Sequence, residues 1–201
     1  MSVLDRFRLN GRCALITGSS AGIGFGLARA LCEAGAHVVL NGRDATKLQQ
    51  AAAVLTAEGH AVSTQVFDVT DEASVKAAVA AIESRQPLDI LINNASAINL
   101  TPTEKTPAKR FDLMFDVNVR GTFLTSQAAI PYLRESAKAG GNPHILTLSP
   151  PLSMNPKWFK SHVAYTMSKY GMSMCVLGMS EEFKREGIAV NALWPRTAID
   201  T

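Results

Sequence analysis

A chain of 201 residues with 47% hydrophobic and 18% charged residues can bury a full core, and predicts one domain over 1–201. Its formal charge of +3 comes from scattered Lys and Arg, so nothing in it calls for nucleic acid or a membrane surface as partner. No apolar run is long enough to span a membrane, 1–12 lacks signal-peptide character, and Cys13, Cys32 and Cys175 are odd in number and without CxxC spacing. A soluble, cytoplasmic protein with buried thiols and no metal is expected.

In chain order the periodicities predict a strand over 12–16, a helix over 22–34, a strand over 37–41, a helix over 44–58, a strand over 61–67, a helix over 71–84 and a strand over 88–93. A long helix over 107–138 follows, kinked at Pro131, then a strand over 144–149, a loop, a helix over 161–185 and a strand over 188–194. The strands are short and nearly unbroken in apolar character, as strands covered by helices on both faces must be. This alternation predicts an α/β fold, a single-domain, Rossmann-type doubly wound parallel sheet. A sheet ending at Thr201 directly after a strand lacks the helix that would cover it, so either a short fold or a truncated chain is expected.

Gly18, Gly22 and Gly24 sit between the first strand and the first helix, spaced GxxxGxG. Glycines there permit a tight turn and let backbone N–H groups approach a pyrophosphate at the positive end of the helix. Asp68-Val69 and Asn93-Asn94-Ala95 end the third and fourth strands, at the carboxyl ends where such sheets bind ligands. Each alone is also an ordinary turn. Tyr165 and Lys169 lie four apart, on one face of the last long helix. A nearby ammonium favours phenolate, so the pair is suited to exchanging a proton with an alcohol or carbonyl.

These residues together resemble the short-chain dehydrogenase/reductase family over nearly the whole chain. The resemblance implies a nicotinamide dinucleotide held by Gly18, Ser19, Ser20, Gly22, Ile23 and Gly24 at its phosphates and ribose, by Asp68 and Val69 at the adenine, and by Asn94 and Ala95 on the ribose side. It implies Tyr165 as acid/base, Lys169 as its partner and as a ligand of the nicotinamide ribose, and Asn118 as the residue whose carbonyl region holds a water in the proton path. The second strand ends Leu40-Asn41-Gly42-Arg43, with no carboxylate to repel a 2′-phosphate and with Arg43 to bind one. NADP is therefore expected over NAD, although Arg43 also fits a plain solvated loop charge.

The chain departs from the family pattern at the Ser that donates a hydrogen bond to the substrate oxygen, where Pro150 stands. Ser149 is one residue early, and Ser153 has nearly the family spacing to Tyr165, which makes it the candidate. Loss of such a donor costs about 3 kcal/mol of transition-state stabilisation. Met154, Trp158 and Phe159 near this point suit an apolar substrate or ordinary packing, and Met167, Met172, Met174 and Met179 suit a core or dimer face. Residues up to about Leu91 resemble the gluconate 5-dehydrogenase branch, and those from Asn94 onward the hydroxysteroid dehydrogenase-like protein 2 branch. A join near Leu91–Ser96 or an intermediate lineage would each account for this. The family continues past Pro195 with a Gly, a substrate-covering segment, a strand and a helix, whereas Arg196 stands here and the remainder is absent. The expected function is hydride transfer between NADP(H) and a small alcohol or carbonyl substrate, in a homodimer or homotetramer if the C-terminus is complete. A dinucleotide-binding protein of low turnover and a structural oligomer subunit are the alternatives.

Overall fold

A computed structural model describes residues 3–195. The expectations about Arg196 to Thr201 lie outside them. Six parallel strands, β1 (Cys13–Ile16), β2 (His37–Gly42), β3 (Val62–Val66), β4 (Ile90–Asn93), β5 (His144–Leu148) and β6 (Ala189–Leu193), form one sheet in the order 3-2-1-4-5-6. Helices α1 (Gly22–Glu33) and α2 (Ala45–Ala57) cover one face, and α3 (Glu72–Glu83), α5 (Gly121–Lys138) and α6 (Val163–Glu182) the other. This is the expected doubly wound α/β sheet.

The continuous apolar strands follow from this burial on both faces. In β1, Cys13 and Leu15 enter the core under α3, α5 and α6, while Ala14 and Ile16 enter the core under α1 and α2. All four are fully buried. At the edge, β3 reads Val-Ser-Thr-Gln-Val, and none of its residues is fully buried. Burial pushes the Cys13 thiol up to about 12 and the Cys32 thiol up to about 11, so both are inert at neutral pH. Cys175 is only partly buried.

Helix starts divide into two kinds. Asp44 caps α2 by accepting from the Lys47 N–H, and Asp71 caps α3 by accepting from Ala73 and Ser74. Helix α1 begins after Ala21 with no side-chain cap and no acidic residue in its first turn. The expected single helix over 107–138 is three pieces: α4 (Ala108–Met114), a π-helical stretch (Phe115–Arg120) and α5. A π-turn widens the helix locally and is found mostly at functional sites; this one carries Asn118. Pro131 lies inside α5 without ending it.

At the opposite end of the sheet Asp89, 6% exposed, holds three elements together. Its Oδ1 accepts from the Arg12 guanidinium at 2.9 Å and the Ser136 hydroxyl at 2.7 Å, and its Oδ2 accepts from the Cys13 N–H at 3.0 Å. Removing the carboxylate strands a buried N–H, a buried hydroxyl and half an ion pair. Asp89→Ala is expected to cost about 3 kcal/mol, read as a lower urea midpoint with unchanged slope.

Candidate active site

Strands β2 and β3 lie to one side of β1, and β4 to β6 lie to the other. The loops leaving the C-terminal ends of β1 and β4 therefore diverge and open a crevice. A groove of about 950 Å³ fills it. Its lining includes Gly18, Ser20, Ile23 and Gly24 after β1, Arg43, Asp44 and Lys47 after β2, Phe67, Asp68 and Val69 after β3, Asn94 to Ile98 after β4, and Arg110 and Val117. A second depression of about 630 Å³ against α2 and β3 shares no residue with it; its one charged side chain, Arg85, is bonded to Gln65.

The turn after β1 has no room for a side chain at Gly18 or Gly24. Gly18 and Gly22 have φ of +63° and +60°. A Cβ on Gly18 would lie 2.9 Å from Ala95 Cα, and one on Gly24 would lie 2.6 Å from the Gly18 carbonyl oxygen and against the Asn94 amide. Across the crevice, Asn94 Nδ2 donates to the carbonyls of Thr17 and Gly18 at 3.0 and 2.8 Å, and the N–H groups of Asn94 and Ala95 donate to Thr17 Oγ1. The uncapped positive end of α1 thus faces the groove through a fixed backbone cradle, which suits a pyrophosphate.

Ser19 is placed differently from its expectation. It is fully buried and outside the groove: its hydroxyl donates to the Ile16 carbonyl at 2.7 Å and accepts from the Asn41 N–H at 2.9 Å. It holds the turn to β2 and has no side-chain group left for a ligand. Gly22 opens α1 without lining the groove. Thr17 and Asn41 escaped the sequence reading. Asn41, 2% exposed, accepts from the Gly18 N–H and donates to the Gln65 and Phe67 carbonyls. An Asn closing an otherwise apolar strand was the available signal.

Arg43 is 72% exposed and lies 3.6 Å from Asp68. Burial acts to raise the Asp68 carboxyl, but the Thr70 N–H and hydroxyl, together with Arg43, outweigh it and hold the group below its usual value. Lys47 and Arg110 also line the groove.

The catalytic candidates lie on α6. Lys169 Nζ donates to the Leu148 carbonyl at the end of β5, at 2.8 Å. Burial pushes the Tyr165 phenol up and the Lys169 ammonium down to about 8. The expected lowering of the phenol by Lys169 is therefore absent, because desolvation dominates and the ammonium is held on β5. Asn118 is fully buried: Oδ1 accepts from the Ala97 N–H at 2.7 Å, and Nδ2 donates to the Ala97 carbonyl and Ser168 Oγ, both at 2.9 Å. Ser168 in turn donates to the Tyr165 carbonyl. Asn118 thus ties the groove wall at Ala97 to the turn of α6 that carries Tyr165 and Lys169.

Ser153 accepts from the Asn155 N–H at 3.3 Å within its own loop and is not part of the groove. Ser149 is 2% exposed, and its hydroxyl has no partner among the described residues. The Pro150 carbonyl accepts from Ser173.

Residues 12–201 match the family described as short chain dehydrogenase. The chain belongs to that family. It is 52% identical to hydroxysteroid dehydrogenase-like protein 2 of Bos taurus across 96% of its length, while spanning only 47% of that relative. That alignment runs through both halves of the chain. Among solved structures of the family, a putative dehydrogenase from Xanthomonas campestris superposes with a TM-score of 0.89 at 46% identity, over 96% of this chain and 73% of that one. A gluconate 5-dehydrogenase from Burkholderia cenocepacia J2315 in complex with NADP and tartrate gives 0.86 at 36% identity, over 96% and 74%. The fold is that of this family of oxidoreductases.

Asn118→Ala would leave the Ala97 N–H and carbonyl and the Ser168 hydroxyl without their partner. It is expected to cost about 2 to 3 kcal/mol and to speed amide exchange through the first turns of α6, read by thermal denaturation and hydrogen exchange.

Proposed function

We propose that the chain is an NADP(H)-preferring oxidoreductase acting on an alcohol or carbonyl substrate, with Tyr165 as the acid/base. The observation that carries this is the glycine cradle at the open end of α1, joined through Ala97, Asn118 and Ser168 to the turn bearing Tyr165 and Lys169. The residues fit the dinucleotide. Gly18 and Gly24 let the turn close tightly on Asn94 and Ala95, which shapes the backbone cradle a pyrophosphate needs, Ser20, Ile23, Asp68, Val69, Asn94 and Ala95 line the same groove, and Lys169 would hold the nicotinamide ribose. When bound, the dinucleotide supplies or accepts a hydride at its nicotinamide ring. Tyr165, held protonated by burial, gives its proton to the carbonyl oxygen in reduction and recovers it in oxidation.

Two features support NADP(H) over NAD(H). Gly42 lines the groove, where a Cβ would lie between Leu48 at 3.5 Å and Ser20 Oγ at 3.6 Å, and it carries no carboxylate. Around it, Arg43, Lys47 and Arg110 outnumber Asp44 and Asp68, and Asp44 is already engaged in capping α2. NADPH is expected to bind about tenfold more tightly than NADH, read by the fluorescence of the bound dinucleotide. Tyr165→Phe should keep that binding and slow carbonyl reduction about a thousandfold. A Phe variant as active as the parent would exclude Tyr165 as the acid.

Lys169 gives a pH test. With its ammonium lowered to about 8 by burial, the positive charge is present below that value and lost as pH rises through it. Reduction should decline above about pH 8. Lys169→Arg, which stays charged, should flatten that alkaline limb at a lower maximal rate; an unchanged limb would assign it to another group.

One observation favours a second reading, a dinucleotide-binding protein of low turnover: Pro150 has no hydroxyl, and Ser149 beside it is sealed from solvent. The Tyr165→Phe comparison separates the two. Self-association is supported by α6, where Met172 and Met179 are buried in the core but Met167, Met174 and Leu177 are 43%, 59% and 64% exposed.

A further inference from the structure

Arg43 stands between β2 and α2 on a long, exposed side chain, and among the described residues its guanidinium has one ion-pair partner, Asp68, with Nη1 3.6 Å from Oδ2. Asp68 itself is not free to rotate. Its Oδ1 accepts from both the N–H and the hydroxyl of Thr70 at 2.9 Å, and its carbonyl accepts from the Asp71 N–H at 3.1 Å, so the carboxylate belongs to a closed turn at the head of α3. With Oδ1 occupied twice by Thr70, Oδ2 is the oxygen left to Arg43.

The turn is held from α5 as well. Arg120, the last residue of the π-helical stretch, donates to the Thr70 carbonyl, and Gly121 packs so closely that a Cβ on it would lie 2.8 Å from Val69 Cγ2. The same stretch carries Asn118, which holds Ala97 and Ser168. One short segment therefore anchors the Asp68 turn at one end of the groove and the Tyr165 turn at the other.

An exposed ion pair of this length adds little to stability, and its main effect is on where the guanidinium sits. Arg presents five N–H donors in a rigid fork; Asp68 faces Nη1, and the rest of the fork remains for a second anion. Arg43 and Asp68 both line the groove, whereas Thr70 does not.

Resting on the reading that Arg43 meets the 2′-phosphate of NADP(H), we propose that Thr70 is a positioning residue for that phosphate: it fixes Asp68, and Asp68 holds Arg43 at the groove before the dinucleotide arrives. Thr70 acts through the other two residues and touches no ligand. The contribution is one of ordering. A long side chain loses rotamer freedom when it binds, and holding it beforehand removes part of that loss, an effect of about threefold in affinity. A dinucleotide without the 2′-phosphate gains nothing from it, so Thr70 sets selectivity and leaves general affinity alone.

The test uses the adenosine end alone, comparing adenosine 2′,5′-bisphosphate with 5′-AMP by calorimetry on the whole chain. The bisphosphate is expected to bind about tenfold more tightly in the parent. Thr70→Val, which removes the hydroxyl and keeps the shape, should lower that ratio about threefold with 5′-AMP affinity unchanged, and Thr70→Ala should do the same. Thr70→Ser, which keeps the hydroxyl, should retain the parent's ratio. In Arg43→Gln the ratio should fall to about two, and adding Thr70→Val there should change nothing further, because Lys47 and Arg110 do not depend on the Asp68 turn. The parent's ratio in both Thr70→Val and Thr70→Ala, a parallel loss of 5′-AMP affinity that leaves the ratio intact, or the same threefold fall in the Arg43→Gln background would overturn the proposal. If Arg43→Gln abolishes the preference and the Thr70 variants do not alter it, the role of Thr70 fails and the NADP(H) reading stands. A ratio near one in the parent removes both.

Discussion

The structure depends on how Asn94 crosses the crevice between β1 and β4. At that point the strand order reverses and the two loops diverge, and past the bond from the Thr17 N–H to the Ile92 carbonyl the backbone pairing of β1 with β4 stops. The Asn94 amide, bonded to the Thr17 and Gly18 carbonyls, replaces those missing bonds, and Thr17 Oγ1 completes the exchange by accepting from Asn94 and Ala95. Gly24 is required by the same contact, because any side chain there would displace the amide. The clamp fixes the backbone cradle before any ligand arrives, so little ordering cost remains to be met on binding. It also explains why α1 alone among the first three helices lacks a cap: a carboxylate at Ala21 would occupy the place an anion needs.

The proton-handling end is built by burial more than by pairing. Tyr165 and Lys169 share a helix face, yet Lys169 reaches the Leu148 carbonyl, and burial moves each group toward its neutral form. A neutral phenol is the acid form that carbonyl reduction needs. In the proposed reaction giving up that proton leaves a phenolate, and an ammonium lowered to about 8 still carries most of its charge at neutral pH to stabilise it. Asn118 matters here as a positioning residue, since its three bonds fix the turn on which both groups stand.

Much of this was legible in the sequence because it follows from short-range rules. Continuous apolar strands with glycines at the first turn specify a covered parallel sheet, and the i, i+4 spacing of Tyr165 and Lys169 specifies a shared face. What was not legible depends on which way a polar side chain turns. Ser19 and Ser20 are adjacent in the same loop, yet one bonds inside the sheet and the other lines the groove, and only the path of β2 past the turn decides between them. The π-turn at Phe115–Arg120 was invisible for a similar reason. Its sequence has ordinary helical periodicity, and the widening becomes apparent only where Asn118 reaches both Ala97 and Ser168. The tautomer of His162 was not legible because it is set by a bond to Thr166 whose direction depends on a third residue, Trp158.

The local departures from satisfied, relaxed structure gather in one region. Among the described residues, the buried side-chain atoms without a hydrogen-bond partner are Asn93 Oδ1 and Ser149 Oγ, at the ends of the adjacent strands β4 and β5. The non-glycine residue with a left-handed backbone, Ser161, stands just before His162 in the loop that follows β5 and leads into α6. At the opposite end of the sheet, Asp89 satisfies the strand start, Arg12 and Ser136 together. A fold can hold unsatisfied groups and strain at one end only if the other end is well bonded, and a sequence under no functional demand would relax such features. Pro150 stands in that same region, directly after Ser149 and at the start of the loop that leads into α6.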